Sequence, residues 1–196
     1  MAELRGHLLI AMPGLLDPNF YRSVVLLVRH DADGAMGVIL NRPLDVTIKD
    51  AWAKIDGGIC KNTSKLHAGG PCAGPLLALH DGRQLADQMI VDGLHYSIDA
   101  DHIKQIIEKN VQPSRFFVGN AGWSPNQLEA EIESGSWLTC PATETVAFGE
   151  IQQDRVWIML TRIATMRSVT PQLSSRFVPA YPCAPMDGQR HTFPLL

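Results

Sequence analysis

Eight residues, SVVLLVRH from Ser23 to His30, leave this chain few architectures. Val and Leu fill every position from Val24 to Val28 without alternating with polar residues, so a strand built from them is covered on both faces. The run is too short for a helix. Asp31-Ala32-Asp33-Gly34 follows, and then a second apolar run, AMGVILNRP. Two such runs joined by a short Asp/Gly segment predict a hairpin with a loop of about four residues. Pro43, which has no ladder donor, is expected to close the second strand.

Other segments supply elements around that hairpin. His7 to Met12 reads as a first strand, followed by the turn-rich stretch Pro13 to Tyr21. TIKDAWAKI predicts a short helix capped by Thr47, with Asp50 reaching back. Leu76 to Leu79 reads as a strand, and MIVDGLHYSI as a hairpin turning at Asp92-Gly93. Asp99 or Asp101 then caps a helix whose Ile103, Ile106 and Ile107 share a face, and Pro113 stops it. Arg115 to Gly119 is a strand, and Asn120 to Trp123 reads as a tight corner. Ser124 is the expected N-cap of the next helix, with Pro125 in its first position and Gln127 completing an S-x-x-Q capping box. In that helix Leu128 and Ile132 face inward, and Glu129, Glu131 and Glu133 spread over the polar side. SWLTCPA returns as a strand, and Arg155 to Met166 is a last amphipathic helix. Hairpins with inserted helices, without regular βαβ alternation, predict an α+β fold with a mixed or mostly antiparallel sheet and flanking helices. The expected organisation is a single domain over residues 1–179 and an irregular tail over 180–196.

The chain has 196 residues, 45% hydrophobic and 19% charged, as in a globular protein. Its net charge of -3 argues against DNA as the direct partner, because each phosphate contact calls for a Lys or Arg. No apolar stretch approaches the roughly 18 residues that span a bilayer. The brief apolar segment after Arg5 is broken by Pro13-Gly14 and does not make a signal peptide, so the expected compartment is the cytoplasm. Cys60, Cys72, Cys140 and Cys183 form no C-x-x-C pair; the expectation is idle or buried thiols and no zinc site.

The motifs name no reaction. Gly119 and Gly122 do not complete G-x-G-x-x-G, and Ser124 is not in G-x-S-x-G. The expected role of Asn120–Trp123 is a structural corner with Trp123 as its packed anchor; an anion at the following helix N-terminus is the alternative. His30, His67 and His80 lie at or near strand ends, where active-site side chains often project; the expected role of each is a satisfied structural one, and a cleft shared by some of them is the alternative. Their spacings match no metal motif. Asp17 and Arg22 bracket one turn and are expected to clamp it as an ion pair. Arg42, after Asn41, either joins such a clamp or presents a guanidinium to an anionic ligand.

IAMPGLLDPNFYRSVVLLVRH, GAMGVILNRPL, LHAGGPCAGPLLALH and FVGNAGWSPNQLEAEIESGSWL resemble the signature blocks of the bacterial YqgE/AlgH family, in order, over residues 8 to 137. Asn120 stands where the family's corner carries an aromatic residue, Asn126 where it carries glycine, and Cys72 where the G-G-P block continues with valine. The resemblance implies one α+β domain in the cytoplasm. Family members are labelled transcriptional regulators, and the resemblance carries over no catalytic set.

The resulting expectation is a non-enzymatic binding or regulatory protein that recognises a protein partner or a small anion, without cofactor or metal. The candidate surface comprises Asp17, Arg22, His30, Asn41, Arg42, Gly70, His80, Trp123 and Gln127. The alternative is an enzyme, a hydrolase using His30 or His80 as base.

Overall fold

The computed structural model of the protein describes residues 3–55, 58–149 and 153–167. The hairpin appears as β2 (Val24–Asp31) and β3 (Gly34–Ile39). Only Ala32-Asp33 separates the two strands, and the Asp31 carboxylate accepts from the Asp33 amide at 2.9 Å. β1 (His7–Ala11) pairs with β2 on one side and with β10 (Trp137–Pro141) on the other. Val24, Leu26 and Val28 enter one apolar cluster while Val25 and Leu27 enter a second on the opposite face, as an uninterrupted Val/Leu run demands.

Between β3 and β10 the chain adds β4 (Pro43–Thr47), α1 (Ile48–Ile55), β5 (Lys65–Ala68), β6 (Cys72–His80), β7 (Gln88–Val91), β8 (Leu94–Ser97), α2 (Ala100–Glu108), β9 (Ser114–Trp123) and α3 (Gln127–Glu133). α4 (Glu144–Phe148) and α5 (Gln153–Arg167) follow β10. The sheet order is β10-β1-β2-β3-β9-β6-β8-β7, with β5 on β9 and β4 on β5. Every ladder is antiparallel except β5 with β9. This is an α+β fold with one curled, mostly antiparallel sheet and flanking helices.

Local expectations and structure part company in several places. Pro43 opens β4 instead of closing β3; a proline is tolerated as a first strand residue, where its missing N–H costs nothing. Thr47 does cap α1, accepting from the Asp50 amide at 3.1 Å while its hydroxyl donates to the Asp50 carboxylate at 2.6 Å. Asp99 is the cap of α2, accepting from the amides of Asp101 and His102. The largest departure is at residues 120–123, which form no corner: β9 runs without interruption from Ser114 to Trp123. Cys60 and Cys140 lie outside any disulfide, whereas Cys72 is disulfide-bonded and so departs from the expected idle thiol. The expected tail, residues 180–196, lies outside the described residues. Among the described residues no helix is long and apolar enough to cross a membrane.

β9 holds the two halves of the sheet together because it changes partners midway. Phe117 and Val118 pair with His67 and Ala68 of β5, and Ser114–Val118 with β6; Ala121–Trp123 then pair with Gly37–Ala35 of β3. The exchange occurs at Gly119, whose φ of +72° a side chain resists and whose Cβ would come within 2.8 Å of the Cys72 carbonyl oxygen. Gly70 meets the same strand so closely that an added Cβ would overlap the Asn120 peptide. Gly70→Ala is therefore expected to cost about 1–3 kcal/mol by forcing the strands apart. Urea unfolding reads this as a lower midpoint at unchanged slope.

Candidate functional site

Arg22, Asn41 and Arg42 come together with α5 at one end of the central hairpin. Arg22 has a left-handed φ of +53°, and its side chain reaches α5. Its guanidinium meets Asp154 at 2.8 Å and lies 5.0 Å from the Tyr21 ring centre and 5.3 Å from that of Trp157. The indole of Trp157 donates to the Ala11 carbonyl at 2.6 Å, which seats α5 on β1. Asn41 is buried; its Oδ1 accepts from the Val24 amide and its Nδ2 donates to the Arg22 carbonyl, both at 2.9 Å. Arg42 donates from Nη2 to the Tyr21 carbonyl, and its own carbonyl accepts from the Ala68 amide at 2.9 Å.

The expected Asp17–Arg22 clamp is not formed. Asp17 is buried and accepts from the Asn19 amide at 2.7 Å, while its carbonyl receives the amides of Phe20 and Tyr21. A short carboxylate closes its own turn more readily than it reaches an arginine engaged with α5.

Trp123 and Gln127 belong to a buried polar knot on the sheet face covered by α3. Glu131, expected on the polar side, is only 6% exposed. Its Oε2 accepts from the indoles of Trp123 at 2.9 Å and Trp137 at 2.8 Å, and its Oε1 accepts from Gln127 Nε2 at 3.0 Å. Phe20 stacks on Trp123 and meets Trp137 edge-on. Gln127 Oε1 also accepts from the Ser124 amide at 3.0 Å, which is the back-reaching half of the expected capping box. The forward half is missing, because α3 starts at Gln127 after a left-handed Asn126 rather than at Pro125. Sequence reasoning missed Glu131, although two tryptophans flanking an acidic helix signal it: buried indoles need an acceptor.

The histidines do not share a cleft. His30 pairs with Ala35, which pairs with Trp123, whereas His80 pairs with Ser114. Those rows stand at opposite ends of β9, ~30 Å apart along the strand at about 3.3 Å per residue. His30 Nδ1 accepts from the Leu4 amide at 3.0 Å, so the ring proton sits on Nε2, which donates to Glu129 at 2.9 Å. His80 is fully buried and its Nε2 lies 2.9 Å from Ser97 Oγ. The Ser97 hydroxyl donates to the Leu85 carbonyl, so His80 is the donor to Ser97 and not the base that would activate it. Burial, and secondarily the neighbouring His95, lowers His80 to about 4. His67 packs on Phe117 and is likewise lowered to about 4, by burial first and then by Arg115. Arg115 is itself buried and donates to the Ala147 and Gly149 carbonyls at the end of α4.

The structure thus joins Arg22, Asn41 and Arg42, links Asp17 to them through their shared turn, and places Gly70 along the adjoining strand exchange. Trp123 and Gln127 sit in a separate knot, His30 beside α3, and His80 across the sheet. Among the described residues no group of three or more His, Cys, Asp and Glu is arranged to hold a metal.

Comparison with known proteins extends this description. The AlgH-like family profile matches residues 8–168. A UPF0301 protein of Chlorobium luteolum is 38% identical over 163 residues, covering 80% of this chain and 84% of the relative. One from Rhizobium meliloti is 35% identical over 185 residues, covering 88% and 90%. The solution structure of the AlgH protein from Pseudomonas aeruginosa superimposes with a TM-score of 0.69 at 27% identity, over 88% of this chain and 97% of that one. The crystal structure of a Corynebacterium diphtheriae protein, DIP2367, does so with a TM-score of 0.66 at 25% identity, over 83% and 88%.

Proposed function

We propose that this chain, which belongs to the AlgH-like family, is a non-enzymatic binding protein that works by holding a partner rather than by turning over a substrate. One observation carries the reading: the candidate side chains His30, His80, Gln127 and Asn41 are engaged inside the fold, and the one unpartnered nitrogen of His80, Nδ1, is buried away from any substrate. His30 joins the Leu4 amide to Glu129, His80 donates to Ser97, Gln127 bonds Ser124 and Glu131, and Asn41 bonds Val24 and Arg22. A general base needs a free lone pair facing a substrate, and a nucleophile needs such a base within hydrogen-bond reach. Nothing observed at His30 or His80 favours the hydrolase alternative.

The surface that supports partner contact is the corner where the Tyr21-Arg22 turn meets α5. It presents an exposed tyrosine, a guanidinium braced by Asp154, and the arginine of the Asn41-Arg42 turn. In this reading the protein acts in the cytoplasm on a protein or a small anion, and any effect on transcription passes through that partner, since the net charge of -3 disfavours an operator.

Two measurements test the reading. Incubation with simple aryl esters and phosphate monoesters is expected to give no turnover above background. Turnover that disappears in a folded Arg42→Ala protein refutes the proposal. A photo-crosslinking side chain in place of Tyr21 is expected to trap a discrete partner, and to lose it when Arg22→Glu removes the brace.

A further inference from the structure

We infer that Cys72 is bonded to Cys183, and that this disulfide is a redox-controlled tether joining the C-terminal segment to the strand exchange at β9. The inference goes beyond the binding reading above and does not rest on it. The chain has four cysteines. Cys72 is disulfide-bonded, whereas Cys60 and Cys140 lie outside any disulfide, so a bond within the chain leaves Cys183 as the second sulfur. Cys183 itself lies outside the described residues. Both cysteines also depart from the family pattern. Cys72 occupies the valine position of the G-G-P block, and Cys183 lies beyond residue 168, where the AlgH-like profile ends.

The place of Cys72 suits such a bond. It opens β6 opposite Asn120 and is only 7% exposed, although Pro71, Ala73 and Gly74 beside it are exposed. Its Sγ lies 3.7 Å from where a Cβ on Gly122 would sit, so that glycine leaves the sulfur room against β9. Reach is sufficient as well. Cys183 is 16 residues past Arg167, the end of α5. Extended, that length of chain spans up to about 55 Å, against a breadth of roughly 40 Å for a domain of this size. The bond closes a ring of about 110 residues, which removes much of the freedom of the unfolded chain. In the cytoplasm, the setting proposed above, thiols are kept reduced and the disulfides that form are redox-sensing. A dithiol reductant opens the bond in two exchanges. One of its thiolates attacks a sulfur of the pair, forming a mixed disulfide and expelling the other sulfur as a thiolate, which takes up a proton. Its second thiolate then displaces the remaining protein sulfur, leaving two protein thiols and an oxidised reductant. A disulfide oxidant of the glutathione type runs the exchange in reverse.

The test uses the full chain treated with one equivalent of oxidised glutathione, freed of small thiols, and unfolded in guanidinium with a maleimide. Two thiols are expected to react, and all four after dithiothreitol. Mass spectrometry of a tryptic digest made without reductant is expected to join the peptide of residues 66–83 to that of residues 177–190. Thermal unfolding followed by circular dichroism is expected about 5–10 °C lower in dithiothreitol. Cys72→Val, which restores the family residue, and Cys183→Ser are each expected to unfold near the reduced parent and to be indifferent to dithiothreitol. Four reactive thiols before reductant overturn the pairing, and so does Cys72 joined to Cys60, to Cys140 or to a second chain. A bond that survives excess reduced glutathione overturns the redox control. A Cys183→Ser protein that unfolds with the oxidised parent overturns the tether.

Discussion

Glu131→Leu is expected to lower unfolding free energy by about 3–5 kcal/mol. The carboxylate is the shared acceptor of two buried indole donors and of Gln127. Leucine leaves both indole N–H groups without a partner in an apolar surround, and each such group costs about 1–3 kcal/mol. Loss of the Gln127 contact also loosens the back-bond to the Ser124 amide that fixes the entry to α3. Glu131→Gln separates hydrogen bonding from volume. Both indoles bond the same oxygen, Oε2, so a glutamine can still accept them while its NH2 group replaces the oxygen facing Gln127. Its expected cost is about 1 kcal/mol. Urea denaturation followed by tryptophan fluorescence checks both values. A leucine variant as stable as the parent would show that the knot is ornamental.

Acid is expected to destabilise the native state more than carboxylates alone explain. His67 and His80 are held down to about 4 in the folded chain, each chiefly by burial, and the free imidazole lies at 6.5. Between those values the unfolded chain binds protons that the native chain refuses, so stability falls as pH drops from 6.5 toward 4 and levels off below that. Each ring contributes about 2 kcal/mol of loss by pH 5 and roughly 3 kcal/mol over the whole window. Two rings together amount to a large part of the 5–15 kcal/mol typical of a domain. Urea midpoints measured at pH 7.5 and pH 5 test this, with His67→Leu and His80→Leu each flattening the dependence. A pH profile unchanged by both substitutions contradicts the burial argument.

The sequence made the framework readable because most of its strands satisfy local rules. An uninterrupted Val/Leu run has to be buried on both sides, and Val24–Val28 is. Asp92-Gly93 and the caps Thr47 and Asp99 act within a few residues of themselves, so pattern and turn chemistry sufficed there. Residues 120–123 misled because glycine has two uses that look alike in a sequence. It can turn a chain, or it can let one backbone lie against another, and Gly119 and Gly70 do the second at a strand exchange set by partners far away in sequence. Glu131 misled for a related reason. Its helix position is polar by period, and the indoles of Trp123 and Trp137, on the strands before and after the helix, make it an interior acceptor. The Asp17–Arg22 pairing failed because the arginine pairs instead with Asp154 of α5, 132 residues on.

The candidate site follows the same division. Residue types suited to chemistry were visible in the sequence, but their engagement depends on long-range partners: Glu129 for His30, Ser97 for His80, Tyr21 for Arg42. With those partners in place, the Tyr21-Arg22 corner is among the groups that still face outward.

The claim that these groups are locked inside the fold is tested most directly by the tautomers of His30 and His80, read from long-range proton–nitrogen NMR correlations of the ring. Both rings are predicted to carry the proton on Nε2 and to leave Nδ1 as a bare lone pair, in His30 with the Leu4 amide protected from exchange. A proton on Nδ1 of either ring, or a ring averaging between the two forms, would mean an imidazole free to move protons and would contradict a protein that only binds.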